Sequence, residues 1–333
     1  MNTKHMQSFA TALSLLLGVS IPVLAADPLP SWNDTAAKKA IVEFVDRTTK
    51  QGSADFVKPE ERIATFDNDG TLWVEQPIYT QVEFAIDEVI AMAPQHPEWR
   101  EREPFKAILA HDRAAMLKFS IQDFEKVVAV THSGMTVQQF LDIVQKWLAE
   151  AKHPRFKRPY TECVYQPMLE LMQYLRANGF KTYIVTGGGQ EFVRAFGQQT
   201  YGVPPEQVVG SMGKVKYEYN KEGTPELIKL PEVLLIDDKT GKPEGINMVI
   251  GRRPYGAFGN STGDQQMLEY TGAGSGARLM MLVHHDDGER EYAYGPDSKI
   301  GTFSDALMDE AKKKGWIVIS MKNDWKTIFP PQK

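Results

Sequence analysis

The chain has 333 residues, of which 42% are hydrophobic and 24% are charged, and its formal net charge is −5. This composition is ordinary for a soluble globular protein, and the length suits one large domain or two unequal ones. An acidic balance without a run of lysine and arginine argues against a nucleic-acid partner, because nucleic acids bind basic patches. A small anionic substrate stays compatible with this charge, since a metal ion and one lysine can make a locally positive pocket.

The N-terminus has the pattern of a secretory signal peptide. Lys4 and His5 precede an apolar stretch over residues 9–24, and small residues follow at Ala25 and Ala26. We predict a signal peptide over residues 1–25, cleaved after Ala25 or Ala26, and a periplasmic or secreted mature protein. An uncleaved anchor or a core helix is the alternative, but the apolar run is shorter than the ~20 residues of a membrane span. No stable membrane insertion is therefore expected after cleavage.

The first elements of the mature chain lead into an acidic turn. The pattern over 33–50 predicts an amphipathic helix that is capped by Asn33 or Asp34. Residues 62–66 form a short β-rich run that ends abruptly at Asp67. In an open α/β sheet, ligands bind at the carboxyl ends of the strands, so this turn is a candidate site.

The middle of the chain differs from the rest. Residues 78–158 contain helical patterns and few β-rich runs, with helix starts at Ser120 and Thr136 that have capping-box spacing. Alternating helices and strands then resume. The predicted helices are 166–178 and 190–200, and the predicted strands are 181–185, 208–212, 215–219, 233–237, 256–259, 278–284 and 316–321. This pattern predicts an α/β fold, a Rossmann-like parallel sheet with helices on both faces, interrupted by an all-helical insertion.

Two aspartates in the turn after the first strand are the strongest candidates for chemistry. Asp67 and Asp69 are two residues apart, so one carboxylate can face a phosphorus atom and the other the ester oxygen. A carboxylate nucleophile forms a covalent acyl phosphate, and its partner can donate a proton to the leaving oxygen. The same string also occurs in calcium-binding loops and in plain turns.

Three later elements suit the same chemistry, although each is weak alone. Thr186 and Gly187 follow a strand, where a hydroxyl and backbone N–H groups can bind an anion, or where glycine simply makes a turn. Lys242 is a candidate counter-charge for phosphoryl oxygens, but a lone lysine in a loop is usually solvated. Asn260 and Asp264 place an amide and a carboxylate four apart at another strand end, which suits Mg²⁺.

The order and spacing of these four elements resemble the haloacid dehalogenase superfamily of phosphohydrolases, most closely its phosphoserine-phosphatase-like members with a helical cap. The resemblance implies that Asp67 is the nucleophile and Asp69 the general acid/base. It also implies that Thr186 and Gly187 bind the phosphoryl group and that Lys242 neutralises it. The resulting domain organisation is a catalytic core over 26–77 and 159–333, with a cap over 78–158 that closes the site.

The resemblance further implies a Mg²⁺ site. Its ligands would be Asp67, the backbone carbonyl of Asp69 and the element that contains Asn260 and Asp264. Asn260 stands where many members have an acid, so we expect Asn260→Asp to tighten Mg²⁺ binding and Asp264→Asn to weaken it. The cap acid of phosphoserine-specific members has no aligned match, although Glu75 is one residue away.

The predicted function is that of a secreted, Mg²⁺-dependent phosphomonoesterase that hydrolyses a small phosphorylated metabolite through a phospho-aspartate on Asp67. A phosphoserine- or phosphorylcholine-specific phosphatase is a narrower alternative, and a non-catalytic protein that binds phosphorylated ligands is another. Carbon–halogen hydrolysis shares the fold but needs neither Mg²⁺ nor a leaving-group acid. The presence of Asp69 therefore argues against it.

Three remaining features are given structural interpretations. Cys163 is the single cysteine, and it is predicted to be a buried thiol because its sequence neighbours include no base. Residues 237–241 are predicted to form a hairpin turn. His284 and His285 end a predicted strand and could ligate a second metal, although polar residues are common at such exits.

Overall fold

The computed structural model describes residues 27–116 and 118–332, so the predicted signal peptide over 1–25 lies outside the described residues. Seven strands form one sheet: β1 (Ile63–Phe66), β2 (Lys181–Gly189), β3 (Val208–Tyr219), β4 (Pro225–Leu235), β5 (Gly256–Gly259), β6 (Leu279–His284) and β7 (Ile317–Ser320). Their order across the sheet is β4-β3-β2-β1-β5-β6-β7. Neighbouring strands are parallel except β3 and β4, which are antiparallel. The predicted α/β class is confirmed.

The α-helices of the described residues surround this sheet. They are α1 (Ala36–Thr49), α2 (Thr80–Met92), α3 (Phe105–Leu109), α4 (Arg113–Met116), α5 (Ile121–His132), α6 (Val137–Glu150), α7 (Gln166–Ala177), α8 (Gln190–Arg194), α9 (Gly197–Tyr201), α10 (Gly241–Val249), α11 (Gln265–Gly272), α12 (Asp305–Lys314) and α13 (Met321–Asp324). Successive strand residues Ile184 and Val185 are both fully buried and belong to different apolar clusters. The sheet is therefore covered on both faces, as a parallel sheet requires.

The centre of the sheet is where the chain changes direction. β1 has parallel neighbours on both sides, β2 and β5, and all four of its residues are buried. The chain passes from β1 to the β2 side first and reaches the β5 side only later. This is a topological switch point, and the loops that leave β1, β2 and β5 open a crevice at its carboxyl edge.

The segment between β1 and α7 is helical, in agreement with the pattern seen in the sequence. Helices α2 to α6 lie there, and a small apolar cluster of their own includes Val89, Trp99 and Phe105. Phe84 and Phe140 instead join the main core and fix this segment against it. The predicted capping boxes at the starts of α5 and α6 are both confirmed. No described helix combines the length and apolar character needed to cross a membrane.

The antiparallel ribbon at one edge differs from prediction. The two strands predicted over 208–219 are one strand, β3, which accommodates Gly213 by a shift of register with β4. Glycine inside a strand often marks such a bulge, and the two predicted strands ended on either side of Gly213. β4 begins at Pro225 and is therefore longer than the predicted 233–237. A turn at Asn220 reverses the chain, because its side-chain oxygen accepts from the backbone N–H groups of Glu222 and Thr224.

Several helix boundaries also differ from prediction. Thr35, rather than Asn33 or Asp34, precedes α1. The helix predicted over 190–200 is divided into α8 and α9 by the non-helical φ of −134° at Phe196. Residues 237–241 do not form a hairpin but lead directly into α10. The prediction for Cys163 is confirmed, since its side chain is fully buried.

Candidate active site

The loop that follows β1 places Asp67 beside the end of β5. The backbone N–H of Asp67 donates to the Phe258 carbonyl oxygen at 2.9 Å, and the residue is 7% exposed. Gly70 then turns the chain with a φ of +74°. A Cβ atom on Gly70 would collide with the side chains of Asn260 and Glu75. The tight packing of this loop thus depends on glycine at position 70.

Lys242 joins the nucleophile loop to the element after β5. Its Nζ atom lies 2.5 Å from Asp67 Oδ1 and 2.8 Å from Asp264 Oδ1, and it donates to the Val185 carbonyl oxygen at 2.7 Å. Burial by itself lowers the pKa of Lys242, but the carboxylates of Asp264 and Asp67 outweigh it and hold the pKa above its usual value. Lys242 is buried between two carboxyl groups, in the place where the resemblance implied a counter-charge.

The helical position of Lys242 corrects one detail of the sequence analysis. The segment around it was interpreted as a loop because it contains two glycines and Pro243. In the structure it is the first turn of α10. Proline is tolerated in a first turn, since its missing N–H would have no partner within the helix. The ammonium group of Lys242 is therefore positioned by the start of a helix and not by a loop.

Asp69 is held by an indole from its own loop. Trp73 Nε1 donates to Asp69 Oδ1 at 2.8 Å, and the Trp73 ring is fully buried and stacked on Phe196 with a centroid distance of 4.6 Å. Burial raises the pKa of the Asp69 carboxyl, and the Trp73 hydrogen bond opposes that rise. The carboxyl is thereby fixed in orientation and keeps a bias towards the protonated form. A general acid needs both properties.

The end of β2 provides the glycine-rich turn. Thr186 is fully buried and its hydroxyl oxygen accepts from the Gly188 N–H at 3.1 Å, while Gly187 is exposed. A Cβ atom on Gly188 would lie 3.7 Å from Asp69 Oδ2. The structure therefore brings the predicted anion-binding turn next to Asp69, with the Gly187 backbone open to an incoming anion.

Two residues of the helical segment reach this turn and were not predicted. Gln81 Oε1 accepts from the Gly189 N–H at 2.7 Å, and Gln81 Nε2 donates to His132 Nε2 at 3.0 Å. Burial lowers the pKa of His132 to about 3, so the ring is neutral and can accept this bond. The sequence around Gln81 in α2 and His132 in α5 is ordinary for a helix, so it does not indicate a contact with this turn.

The element after β5 is ordered by Asp264. Asp264 Oδ2 accepts from the backbone N–H groups of Asn260 at 2.9 Å and Ser261 at 3.0 Å, while its Oδ1 faces Lys242. Asn260 Oδ1 accepts from the Thr71 hydroxyl at 3.0 Å. Both oxygens of Asp264 thus have protein partners, whereas the amide oxygen of Asn260 keeps one lone pair.

Glu75 is a further buried acid of the site that sequence reasoning did not assign. Its Oε1 atom accepts from Asn260 Nδ2 at 2.7 Å and from the Tyr294 hydroxyl at 2.7 Å. The Tyr294 ring stacks on His285, whose Nε2 donates to the Gly70 carbonyl oxygen at 2.7 Å. An acid within the apolar run Leu-Trp-Val-Glu was the available signal, since a buried charge usually has a role.

The residues from His284 to Asp287 do not form a second metal site. Three of them have separate partners: His285 lies beside Glu291, Asp286 accepts from the Lys322 N–H, and Asp287 pairs with Arg290. Within residues 27–116 and 118–332, no group of three or more His, Cys, Asp or Glu side chains is arranged to hold a metal ion. The role found for His285 is to support the nucleophile loop.

Carboxyl groups outnumber cationic side chains in the site. Five carboxyl groups lie in it: Asp67, Asp69, Glu75, Asp237 and Asp264. In the described part of the chain, the ion pairs that they form all go to Lys242. Burial raises the pKa of Asp67 and of Glu75 well above the usual range, and it raises that of Asp237 to about 7. A cation bound here would stabilise the ionised forms of these carboxyl groups.

Comparison with known proteins gives a family for this chain. A family model described as haloacid dehalogenase-like hydrolase matches residues 64–269, which include every site residue of the four elements. No curated protein matches the chain by sequence.

Solved structures provide the second comparison. A conserved protein of unknown function from Anaerococcus prevotii DSM 20548 has 16% identity and a TM-score of 0.53, over 87% of this chain and 94% of that chain. A protein of unknown function from Bordetella pertussis Tohama I has 16% identity and a TM-score of 0.48, over 78% and 99%. A phosphoserine phosphohydrolase-like protein from Francisella tularensis has 14% identity and a TM-score of 0.38, over 79% and 97%.

Proposed function

The chain belongs to the haloacid dehalogenase-like hydrolases, and on this premise we propose that it is a Mg²⁺-dependent phosphomonoesterase acting on a small phosphorylated metabolite. One observation carries the proposal: Lys242 Nζ lies between Asp67 and Asp264, at 2.5 Å and 2.8 Å, at the edge where the glycine turn of β2 also ends. A nucleophilic carboxylate, a buried cation and the exposed Gly187 backbone thus share one crevice.

The first step transfers the phosphoryl group to Asp67. A carboxylate oxygen of Asp67 attacks phosphorus, the bond from phosphorus to the ester oxygen breaks, and the Asp69 carboxyl gives its proton to that oxygen. Lys242 and the backbone N–H of Gly187 stabilise the charge on the phosphoryl oxygens. The raised pKa of Asp69 suits a group that must begin this step protonated.

The second step releases phosphate. Asp69, now a carboxylate, takes a proton from water while the water oxygen attacks phosphorus. The bond between phosphorus and the Asp67 oxygen breaks, which restores the Asp67 carboxylate. Trp73 keeps the Asp69 carboxyl in one orientation through both steps, because its indole is fixed by stacking on Phe196.

The residues present fit Mg²⁺. The Asp67 carboxylate, the Asp69 backbone carbonyl and the Asn260 amide oxygen are hard oxygen ligands of the kind this ion prefers. Asp264 would support this site without ligating the ion, since its oxygens are bonded to Lys242 and to two backbone N–H groups. When bound, Mg²⁺ would supply positive charge to the phosphoryl oxygens. The excess of carboxyl groups over Lys242 in this site supports the fit.

The narrower phosphoserine alternative loses support from the position of Glu75. An amine-binding acid has to face the substrate, but the Glu75 oxygen Oε1 is occupied by Asn260 and Tyr294, and the residue is 2% exposed. We therefore propose a substrate class without a required amine. A screen of phosphorylated metabolites that includes phosphoserine and phosphorylcholine tests this choice.

Release of p-nitrophenol from p-nitrophenyl phosphate by the purified mature protein tests the function directly. We expect release with Mg²⁺ that stops with EDTA and returns when excess Mg²⁺ is added. Absence of p-nitrophenol release with Mg²⁺ would contradict the proposed phosphatase activity. Equal rates with Mg²⁺ and with EDTA would contradict its metal dependence and leave the hydrolase intact.

Trp73→Phe tests the role of the indole. We expect hydrolysis of an alkyl phosphate to slow by about tenfold, the effect of losing one hydrogen bond that contributes ~1.4 kcal/mol. p-Nitrophenyl phosphate should be affected less, because its leaving group needs no proton. The matched control is Trp147→Phe, since Trp147 Nε1 also donates to a carboxylate, Asp87, at 2.8 Å. Equal slowing of the first step, the phosphorylation of Asp67, with both substrates in Trp73→Phe would contradict a positioning role.

We also propose export and cleavage of the first 25 residues. The support is the sequence pattern of a basic start, an apolar run and small residues at Ala25 and Ala26. Mass spectrometry of the protein from an expressing bacterium should find an N-terminus at Ala26 or Asp27 in the periplasmic fraction. An intact Met1 terminus in the cytosol would contradict the proposed location.

A further inference from the structure

The Glu75 side chain is buried next to Asn260, in the element that follows β5. Cβ atoms on Gly70 and Gly301 would both collide with its carboxyl group, and both glycines have positive φ, +74° and +62°. Tyr294 covers a further side through its hydroxyl. The backbone at two separate positions is thus shaped to admit this carboxyl group, which leaves Glu75 2% exposed.

We infer that Glu75 is a positioning residue for the metal: it fixes the orientation of the Asn260 amide, so that the amide oxygen faces away from Glu75. This inference rests on the Mg²⁺ site of the proposed function. The contact of Glu75 with this element is through Asn260 Nδ2.

The hydrogen bonds determine which end of the amide faces which way. Glu75 Oε1 accepts from two donors, Asn260 Nδ2 and the Tyr294 hydroxyl, each at 2.7 Å. An acceptor on this side requires the NH₂ group of Asn260 to face Glu75. The amide oxygen must then face the opposite way, where it accepts from Thr71 at 3.0 Å. Rotation of the amide would place oxygen against oxygen at Glu75.

Among the described residues, the ion pairs of this site involve Lys242 with Asp67 and Asp264, and none includes Glu75. The link between Glu75 and the element after β5 is therefore the hydrogen bond from Asn260 Nδ2.

This contact revises the expectation for Asn260→Asp. From the sequence alone, a second acid was expected to tighten Mg²⁺ binding. In the structure, the substitution would place a carboxylate where the Asn260 amide donates to Glu75 at 2.7 Å. Two carboxylates at that distance repel, so the gain from the new charge is offset.

A double-mutant cycle on Mg²⁺ binding, measured by calorimetry on the full mature protein without substrate, tests the inference. Glu75→Gln should weaken binding by about tenfold or more, as loss of a residue that orients a metal ligand does. In the Asn260→Asp background the same change should leave binding unchanged or tighten it, because the introduced glutamine amide can donate to the introduced aspartate. The effect of Glu75→Gln thus reverses or vanishes between backgrounds.

The control is Glu170→Gln, another buried glutamate, whose hydrogen bonds go to Ser31 and Gln166. It should leave Mg²⁺ binding unchanged. If Glu75→Gln does not fold, Tyr294→Phe removes the other donor to the same oxygen and should weaken binding about threefold, the effect of losing one neutral hydrogen bond.

Three results would overturn the inference. Equal weakening of Mg²⁺ binding by Glu75→Gln in both backgrounds would show that Glu75 acts at a distance and does not orient the Asn260 amide. If neither Glu75→Gln nor, in its place, Tyr294→Phe weakens Mg²⁺ binding, Glu75 has no role in the metal site. The proposed phosphatase activity and its Mg²⁺ dependence would not be affected by that result. Failure of the native protein to bind Mg²⁺ would overturn both this inference and the metal dependence proposed above.

Discussion

Asp67→Asn is expected to abolish hydrolysis of phosphate esters while the protein stays folded. The amide has nearly the volume of the carboxylate but is a poor nucleophile, so the covalent step cannot begin. The fold should tolerate the change, because the amide oxygen can still accept from Lys242. Lys242 also keeps its ion pair with Asp264 at 2.8 Å.

Acid quenching during turnover of a ³²P-labelled ester distinguishes loss of the nucleophile from loss of substrate binding. The native protein should carry label that hydroxylamine releases, as an acyl phosphate does, and Asp67→Asn should carry none. Asp286→Asn is the matched control, since its carboxylate accepts from Ser320 and the Lys322 N–H outside the site. Activity of Asp67→Asn close to that of the native protein would refute the mechanism.

The sequence predicted the residues that lie at the ends of strands. Asp67, Thr186 and Asn260 each follow a β-rich run, and parallel strands bring their carboxyl ends to one edge of the sheet. Periodicity and turn residues therefore placed these residues at one edge of the sheet, and the resemblance to a known family implied their roles. The link is local, because each residue is positioned by the strand immediately before it.

The contacts that the sequence did not predict join distant parts of the chain. Gln81 reaches Gly189 across 108 positions, and Tyr294 reaches Glu75 across 219. Neither pairing has a periodic signal, because it depends on how the helical segment and the C-terminal loops pack. The antiparallel direction of β4 was missed for a related reason, since its turn at Asn220 is specified by side-chain hydrogen bonds.

Asp69→Asn is expected to slow hydrolysis of alkyl phosphates by roughly 10²–10⁴-fold, the usual contribution of a positioned acid or base. The amide can neither give a proton to the leaving oxygen nor take one from water. Its Oδ1 atom can still accept from Trp73 Nε1, which lies 2.8 Å from the Asp69 oxygen. The geometry of the loop should therefore persist, and the loss should come from chemistry alone.

The two roles of Asp69 separate with p-nitrophenyl phosphate. Its leaving group departs without a proton, so phosphorylation of Asp67 should be only mildly slowed in Asp69→Asn. Release of phosphate still needs a base to activate water, so the phosphoenzyme should accumulate. Rapid mixing should then show a burst of p-nitrophenolate of about one per protein, followed by a slow steady rate. With an alkyl phosphate the first step is slow as well, and the label on Asp67 should not build up. A loss below tenfold on both substrates, with no burst, would show that another group transfers the proton.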